Sequence, residues 1–157
     1  MIIRKVYLLC GLPGSGKSTW SEKFVKENPN TVWYKLDKEF FEKHGREYDG
    51  AKFLDLEDKV KEEIIEKMKL DILNGKDVIL DFGFWKKVDR DKYKHLVEGL
   101  NATPRLLYFK NDNQVLLERL GERNKLKHEY EHVITEELFH IFLTRFEEPK
   151  DEGEILV

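Results

Sequence analysis

Eight consecutive residues carry most of the chemical information in this chain: Gly11, Leu12, Pro13, Gly14, Ser15, Gly16, Lys17 and Ser18. They satisfy the spacing G-x-x-x-x-G-K-[ST] at every fixed position. Main-chain N–H groups can wrap a polyphosphate only where the chain turns tightly, and glycine permits such turns without a Cβ clash. An ammonium group at Lys17 then reaches the β and γ phosphates, and the Ser18 hydroxyl binds Mg²⁺. Residues 11–19, Thr19 included, form the expected cradle for ATP, with Lys17 also serving catalysis. At ordinary glycine usage, the four fixed positions coincide by chance in roughly one chain of this length per few hundred. The run Val6–Cys10 leads in, and a helical stretch with Trp20, Phe24 and Val25 leads out. That helix points the positive end of its dipole at the anion.

Two carboxylates fall where a nucleotide would meet them. Ligands of open α/β sheets bind outside the carboxyl ends of the strands. Asp81 follows the apolar run Val78–Leu80, a pattern that brings a carboxylate to Mg²⁺, usually through water. Asp37 follows the run Thr31–Leu36 and has two compatible readings. It caps the helical stretch Lys38–Lys43, or it accepts the proton of an attacking hydroxyl as the γ-phosphoryl group moves. Arg119 and Arg123 lie four apart and share a helix face, followed by Lys125, Lys127 and His128. They either steady the charge of a transferring phosphoryl group or sit on a solvated face offset by Glu118 and Glu122. Phe40, Phe41, His44, Arg46, Tyr48, Phe82, Phe84 and Trp85 could wall an acceptor pocket or fill the core. Arg90 either binds an acceptor anion or, the favoured reading, pairs at the surface with its acidic neighbours. The five histidines show no metal-ligand spacing.

These groups need a scaffold, and the apolar pattern describes one. Val6–Cys10, Val78–Leu80 and Leu106–Phe109 are continuous rather than alternating, which marks strands covered on both faces. Thr31–Leu36 and Ile155–Val157 add two more. Between them, Leu56, Val60, Ile64, Met68 and Ile72 repeat every four residues and end at Asn74-Gly75. Further helices are expected over 88–100, 114–124 and 136–147, the last with Thr135 as N-cap. Strand and helix alternate, so the class is α/β with right-handed crossovers. The 157 residues suit one domain over 1–157. Charged residues reach 38% against about 25% on average, with a net charge of −3, which opposes binding of nucleic acid by bulk charge. A single cysteine, Cys10, excludes a disulfide scaffold and fits a reducing, cytoplasmic setting. No apolar run approaches a membrane span of ~20 residues.

The segments Leu9–Trp20, Asn28-Pro29 and Leu36-Asp37 resemble the kinase domain of polynucleotide 5′-hydroxyl kinases. In that family the catalytic aspartate stands twenty residues after the loop lysine, the spacing of Asp37 from Lys17. The chain also resembles small bacterial ATP-binding proteins, which share Leu80–Trp85 and Phe146–Pro149. Both belong to the wider clan of P-loop kinases that includes antibiotic phosphotransferases and zeta-type toxins. The resemblance implies a three-layer α/β/α fold with strand order 2-3-1-4-5. It also implies an arginine-bearing lid at about 119–134, placing Arg119 and Arg123 in catalysis. Two departures bear on the acceptor. Phe40 replaces the arginine that holds the acceptor phosphate in polynucleotide kinases, and Asp81-Phe82-Gly83 replaces their Asp-Thr-Asn. The expectation is ATP- and Mg²⁺-dependent transfer to a hydroxyl of a small molecule, with nucleic acid as the less favoured acceptor. A nucleotide-dependent regulatory module is the remaining alternative.

Overall fold

The computed structural model describes residues 2–126 and 132–157. Five strands, β1 (Lys5–Cys10), β2 (Thr31–Lys35), β3 (Asp77–Gly83), β4 (Thr103–Tyr108) and β5 (Ile155–Leu156), form one parallel sheet in the order β2-β3-β1-β4-β5. Among the described residues six α-helices accompany them: α1 (Lys17–Glu27), α2 (Leu36–His44), α3 (Phe53–Leu73), α4 (Lys87–Gly99), α5 (Asn113–Leu126) and α6 (Glu136–Arg145). The continuous apolar runs are explained by packing on both faces. Val6, Leu8 and Cys10 of β1 join Val78 and Leu80 in a core closed by Phe40, Val60, Ile64, Met68, Tyr93 and Val97. The alternate residues Leu9, Ile79 and Leu107 meet Trp20, Phe24 and Val25 of α1 on the other face. A third cluster joins Leu12 to Leu116 and Leu120 of α5 and Phe139 of α6.

The caps follow the local chemistry. Thr135 Oγ1 accepts the Leu138 N–H at 3.1 Å and starts α6, while Gly75, at φ 77°, ends the turn after α3. Several boundaries differ from the sequence reading, among them β4, which runs Thr103–Tyr108 rather than Leu106–Phe109. α3 begins at Phe53 rather than near Leu56, and α6 stops at Arg145 rather than Glu147. β2 ends at Lys35 and α2 starts at once with Leu36, which is buried. Lys35 is therefore the N-cap, and Asp37 lies inside the first turn. The capping reading of Asp37 is overturned, although its charge still suits the positive end of the helix dipole.

Arg90 corrects a second expectation. It shares a helix face with Tyr93 and Val97 and is drawn inward with them, to 1% exposure. Its Nε and Nη2 donate to the two carboxylate oxygens of Glu152, each at 2.9 Å. Nη1 donates to the carbonyls of Phe84 and Trp85 at 2.9 and 3.0 Å. Asp91 pairs instead with Lys87. The bidentate pair holds the Glu152 carboxyl below its ordinary value of 4.5. A carboxyl depressed in the folded state stabilises fully above its unfolded value and loses that contribution as pH falls through the folded one. Acid unfolding of the protein will therefore include a component below pH 4.5 that Glu152→Gln removes. Urea melts at stepped pH would measure it.

Candidate functional site

The loop between β1 and α1 owes its shape to its glycines. A Cβ at Gly11 would stand 2.6 Å from Ser15 Oγ and 3.2 Å from the Phe109 carbonyl. Gly16, at φ 98°, is the N-cap of α1 and offers no side-chain cap, so the first-turn amides are left for an anion. No described atom lies within 4 Å of the position its Cβ would take. Lys17 Nζ donates to the carbonyls of Gly11 and Leu12 at 2.9 and 3.0 Å and approaches Ser15 Oγ at 3.4 Å. Burial lowers the Lys17 pKa, while the charges of Asp81 and Asp37 oppose that shift. The ammonium is thus poised over the loop with a modest hold on it. Ser18 and Thr19 follow in the first turn of α1, and residues 13–19 line a cleft of about 1230 Å³.

The register of the sheet delivers the carboxylates. Between β1 and β3 the pairing moves from Leu8 opposite Leu80 to Cys10 opposite Gly83, so β3 carries an extra residue at the Asp81–Phe82 step. Such bulges re-aim side chains beside functional sites. Asp81 is 7% exposed. Burial raises its pKa, opposed first by Lys17 and then by Lys35. Among the described residues its carboxylate accepts one hydrogen bond, from Trp33 Nε1 at 3.4 Å. A buried carboxylate with an oxygen to spare, lining the same cleft as Ser18, is with that hydroxyl a hard-oxygen donor set that suits Mg²⁺. No group of three or more His, Cys, Asp or Glu among the described residues could hold a metal by itself. Asp37 lines the same cleft. Its Oδ1 stands 3.7 Å from His132 Nε2.

Arg119 and Arg123 both line the cleft. Arg119 Nη1 donates to the Gly14 carbonyl at 3.1 Å and to Asn111 Oδ1 at 3.3 Å. It is anchored on the loop itself rather than offset by Glu118 or Glu122, and Glu122 pairs with Lys125. Arg123 Nη2 donates to the His132 carbonyl at 3.3 Å. Lys127 and His128, the rest of the expected basic segment, lie outside the described residues.

The ring-rich surroundings divide between both readings. Phe40 and Phe84 are core, with 1% and 4% exposure. Phe41, Tyr48 and Phe53 wall the cleft near Asp37, and the Arg46 guanidinium lies 4.8 Å from the Phe41 ring centroid. Trp85 packs on Phe142 and donates Nε1–H to the Gly11 carbonyl at 3.2 Å. After Gly83, Phe84 adopts φ 46°. This left-handed step costs of order 1–2 kcal/mol, offset here because the Phe84 carbonyl receives both Arg90 and the Cys10 thiol. Burial pushes that thiol up to about 11. Cys10 will accordingly resist iodoacetamide at pH 8 in the folded protein and react in denaturant. Mass spectrometry reads the difference.

Sequence reasoning missed Asn111, His132 and the role of Trp85. Asn111 Nδ2 donates to the Ser15 carbonyl at 3.0 Å and accepts from Arg119. It sits just past the carboxyl end of β4, so the strand-end rule that singled out Asp37 and Asp81 would have found it. His132 had no such signal.

A parallel sheet in the order 2-3-1-4-5, carrying a glycine-rich phosphate loop after its central strand, defines a nucleotide-binding P-loop protein of kinase-like fold. The model of an AAA domain family matches residues 6–149, and the chain belongs to that family. No curated protein sequence matches it. Several solved structures share the fold. A chain of the Pnkp1/Rnl/Hen1 RNA repair complex superposes with a TM-score of 0.78 at 19% identity, over 92% of this chain. This chain spans only 44% of that one. A provisionally assigned kinase of Chloroflexus aurantiacus gives 0.78 at 16% identity, covering 100% and 86% of the two chains. A gluconokinase of Sinorhizobium meliloti gives 0.61 at 17%, covering 99% and 81%. Among the described residues no helix is long and apolar enough to cross a membrane.

Proposed function

We propose that this protein is an ATP-dependent phosphotransferase that passes the γ-phosphoryl group to a hydroxyl of a small molecule, working in the cytoplasm as one domain over 1–157. The observation that carries this reading is the cleft. At about 1230 Å³ it exceeds the ~300–1,000 Å³ of a typical single-ligand pocket, and phosphate loop and Asp37 line it together. One end suits a triphosphate, while the other offers a carboxylate among Phe41, Tyr48 and Phe53. Residues 11–19 and Lys17 hold the phosphates. Ser18 and Asp81 would hold Mg²⁺, which when bound neutralises charge on the β and γ phosphates. Asp37 takes the proton as the acceptor O–H bond breaks. The acceptor oxygen bonds to the γ phosphorus, the bond to the β–γ bridging oxygen breaks, and ADP leaves with that electron pair. Arg119 and Arg123, at the start of the expected lid over about 119–134, of which 127–131 lie outside the described residues, offset charge on the moving group.

The names of the structural neighbours suggest acceptors for a screen, among them gluconate and RNA. With γ-labelled ATP, Mg²⁺ and a panel of sugars, sugar acids, nucleosides and a 5′-hydroxyl oligonucleotide, label is expected on a small hydroxyl compound. Transfer to the oligonucleotide alone would move the assignment to a polynucleotide 5′-hydroxyl kinase. Nucleotide binding without transfer to any acceptor or to water would favour a regulatory module.

A further inference from the structure

Asp37 is half-exposed, and among the described residues the only side chain within ion-pairing or hydrogen-bonding reach of it is His132. That neighbour is held firmly. Asn124 Nδ2 donates to the Ile134 carbonyl at 2.6 Å, and the Ile134 N–H returns a bond to Asn124 Oδ1 at 3.1 Å. Arg123 Nη2 holds the His132 carbonyl. The asparagine amide thus imitates a backbone neighbour and fastens the chain at Ile134 to α5. From there the imidazole packs on Phe41 at 4.6 Å between ring centroids and meets Phe53 edge-on at 5.8 Å. Two aromatic rings and a pinned backbone leave it little freedom.

We propose that His132 is a positioning residue for phosphotransfer, its imidazole limiting the rotamers of the Asp37 carboxylate so that it faces the acceptor hydroxyl. The inference rests on Asp37 being the proton acceptor. Among the described residues, the charged groups facing His132 are Asp37 from α2, Arg46 from the chain between α2 and α3, and Arg123 from α5. Burial lowers the His132 pKa below its ordinary value of 6.5, Asp37 opposes this, and both guanidinium groups reinforce it. That lowering favours the uncharged imidazole in neutral solution. As pH falls through its lowered value, a proton on His132 turns the contact into an ion pair and occupies the carboxylate that should receive the acceptor proton. The same contact therefore positions the base in neutral solution and disables it in acid.

Two measurements on the full chain test this. The imidazole of His132 is titrated by NMR in the wild type and in Asp37→Asn. Removing the carboxylate should lower the midpoint by ~0.5 unit or more. Release of phosphate from MgATP, with water as the acceptor, is then followed against pH. His132→Ala should lower kcat roughly tenfold or more at pH 7.5, since a small misplacement of a reacting group is costly, with KM for ATP within about twofold. His132→Gln, which keeps a neutral polar group beside Asp37 and cannot gain a proton, should recover most of that kcat and shift or remove the acid limb. A midpoint unmoved in Asp37→Asn overturns the proposal, as does an unchanged kcat in His132→Ala or an acid limb retained in His132→Gln. If neither water nor any acceptor of the screen takes the phosphoryl group, the phosphotransfer reading fails on its own, and the NMR titration still decides whether the two side chains are coupled.

Discussion

Lys17→Ala will bind ATP between ~30-fold and a few thousand-fold more weakly than the wild type, a loss of about 2–5 kcal/mol for truncating one member of a desolvated charge contact. The expected size comes from the position of the ammonium. It is held by two loop carbonyls and by Ser15 Oγ, neutral partners that a phosphate oxygen outcompetes through charge. Burial has already lowered its pKa, so the cost of desolvating it is met before the nucleotide arrives. The charges of Asp81 and Asp37 oppose that lowering. Removing the ammonium also leaves Asp81 buried without the charge that most opposes its raised pKa, which weakens the oxygen donor suited to Mg²⁺. Arginine will not restore function, because its planar guanidinium cannot place a compact charge among three converging acceptors. Calorimetry with ATP, with and without Mg²⁺, measures the effect. An affinity unchanged by Lys17→Ala would mean that the loop does not grip a triphosphate through this residue.

The phosphate loop and the sheet were legible because each depends on local rules. Gly16 has a positive φ that follows from its motif position, and the runs Val6–Cys10 and Val78–Leu80 can be continuous only if both faces are covered. Asp37 and Asp81 were found by the same logic, since a strand end in a parallel sheet is a place in space as well as in sequence. What escaped depends on contacts between distant segments. Arg90 looked like a surface cation because its sequence neighbours are acidic. Only the inward face of α4 and the arrival of Glu152, 62 residues later, explain a buried guanidinium. The capping reading of Asp37 failed because β2 passes into α2 with no intervening residue, which propensity does not reveal. His132 is reached through Asn124, Phe41 and Phe53, none of which carries a motif.

Asp37→Asn will lower phosphotransfer by ~10²–10⁴, the usual contribution of a positioned general base, while ATP affinity stays within about threefold. Asparagine preserves the size and first-turn location of the side chain but cannot accept a proton at neutral pH. The separation of effects follows from the geometry. Asp37 shares the cleft with the loop yet makes no hydrogen bond to it among the described residues; its neighbour is His132. Its influence on Lys17 is electrostatic and ranks behind that of Asp81. Loss of the Asp37 charge therefore changes the field at the phosphates modestly and, by removing a negative charge, in a direction that favours an anion. Replacing Lys17 should thus chiefly weaken binding, and replacing Asp37 should chiefly slow chemistry. Single-turnover transfer from labelled ATP, compared with equilibrium binding of the same nucleotide, separates the two. If Asp37→Asn turned over at the wild-type rate, the acceptor proton would be leaving by another route, and the carboxylate would be a structural feature of α2 and its contact with His132.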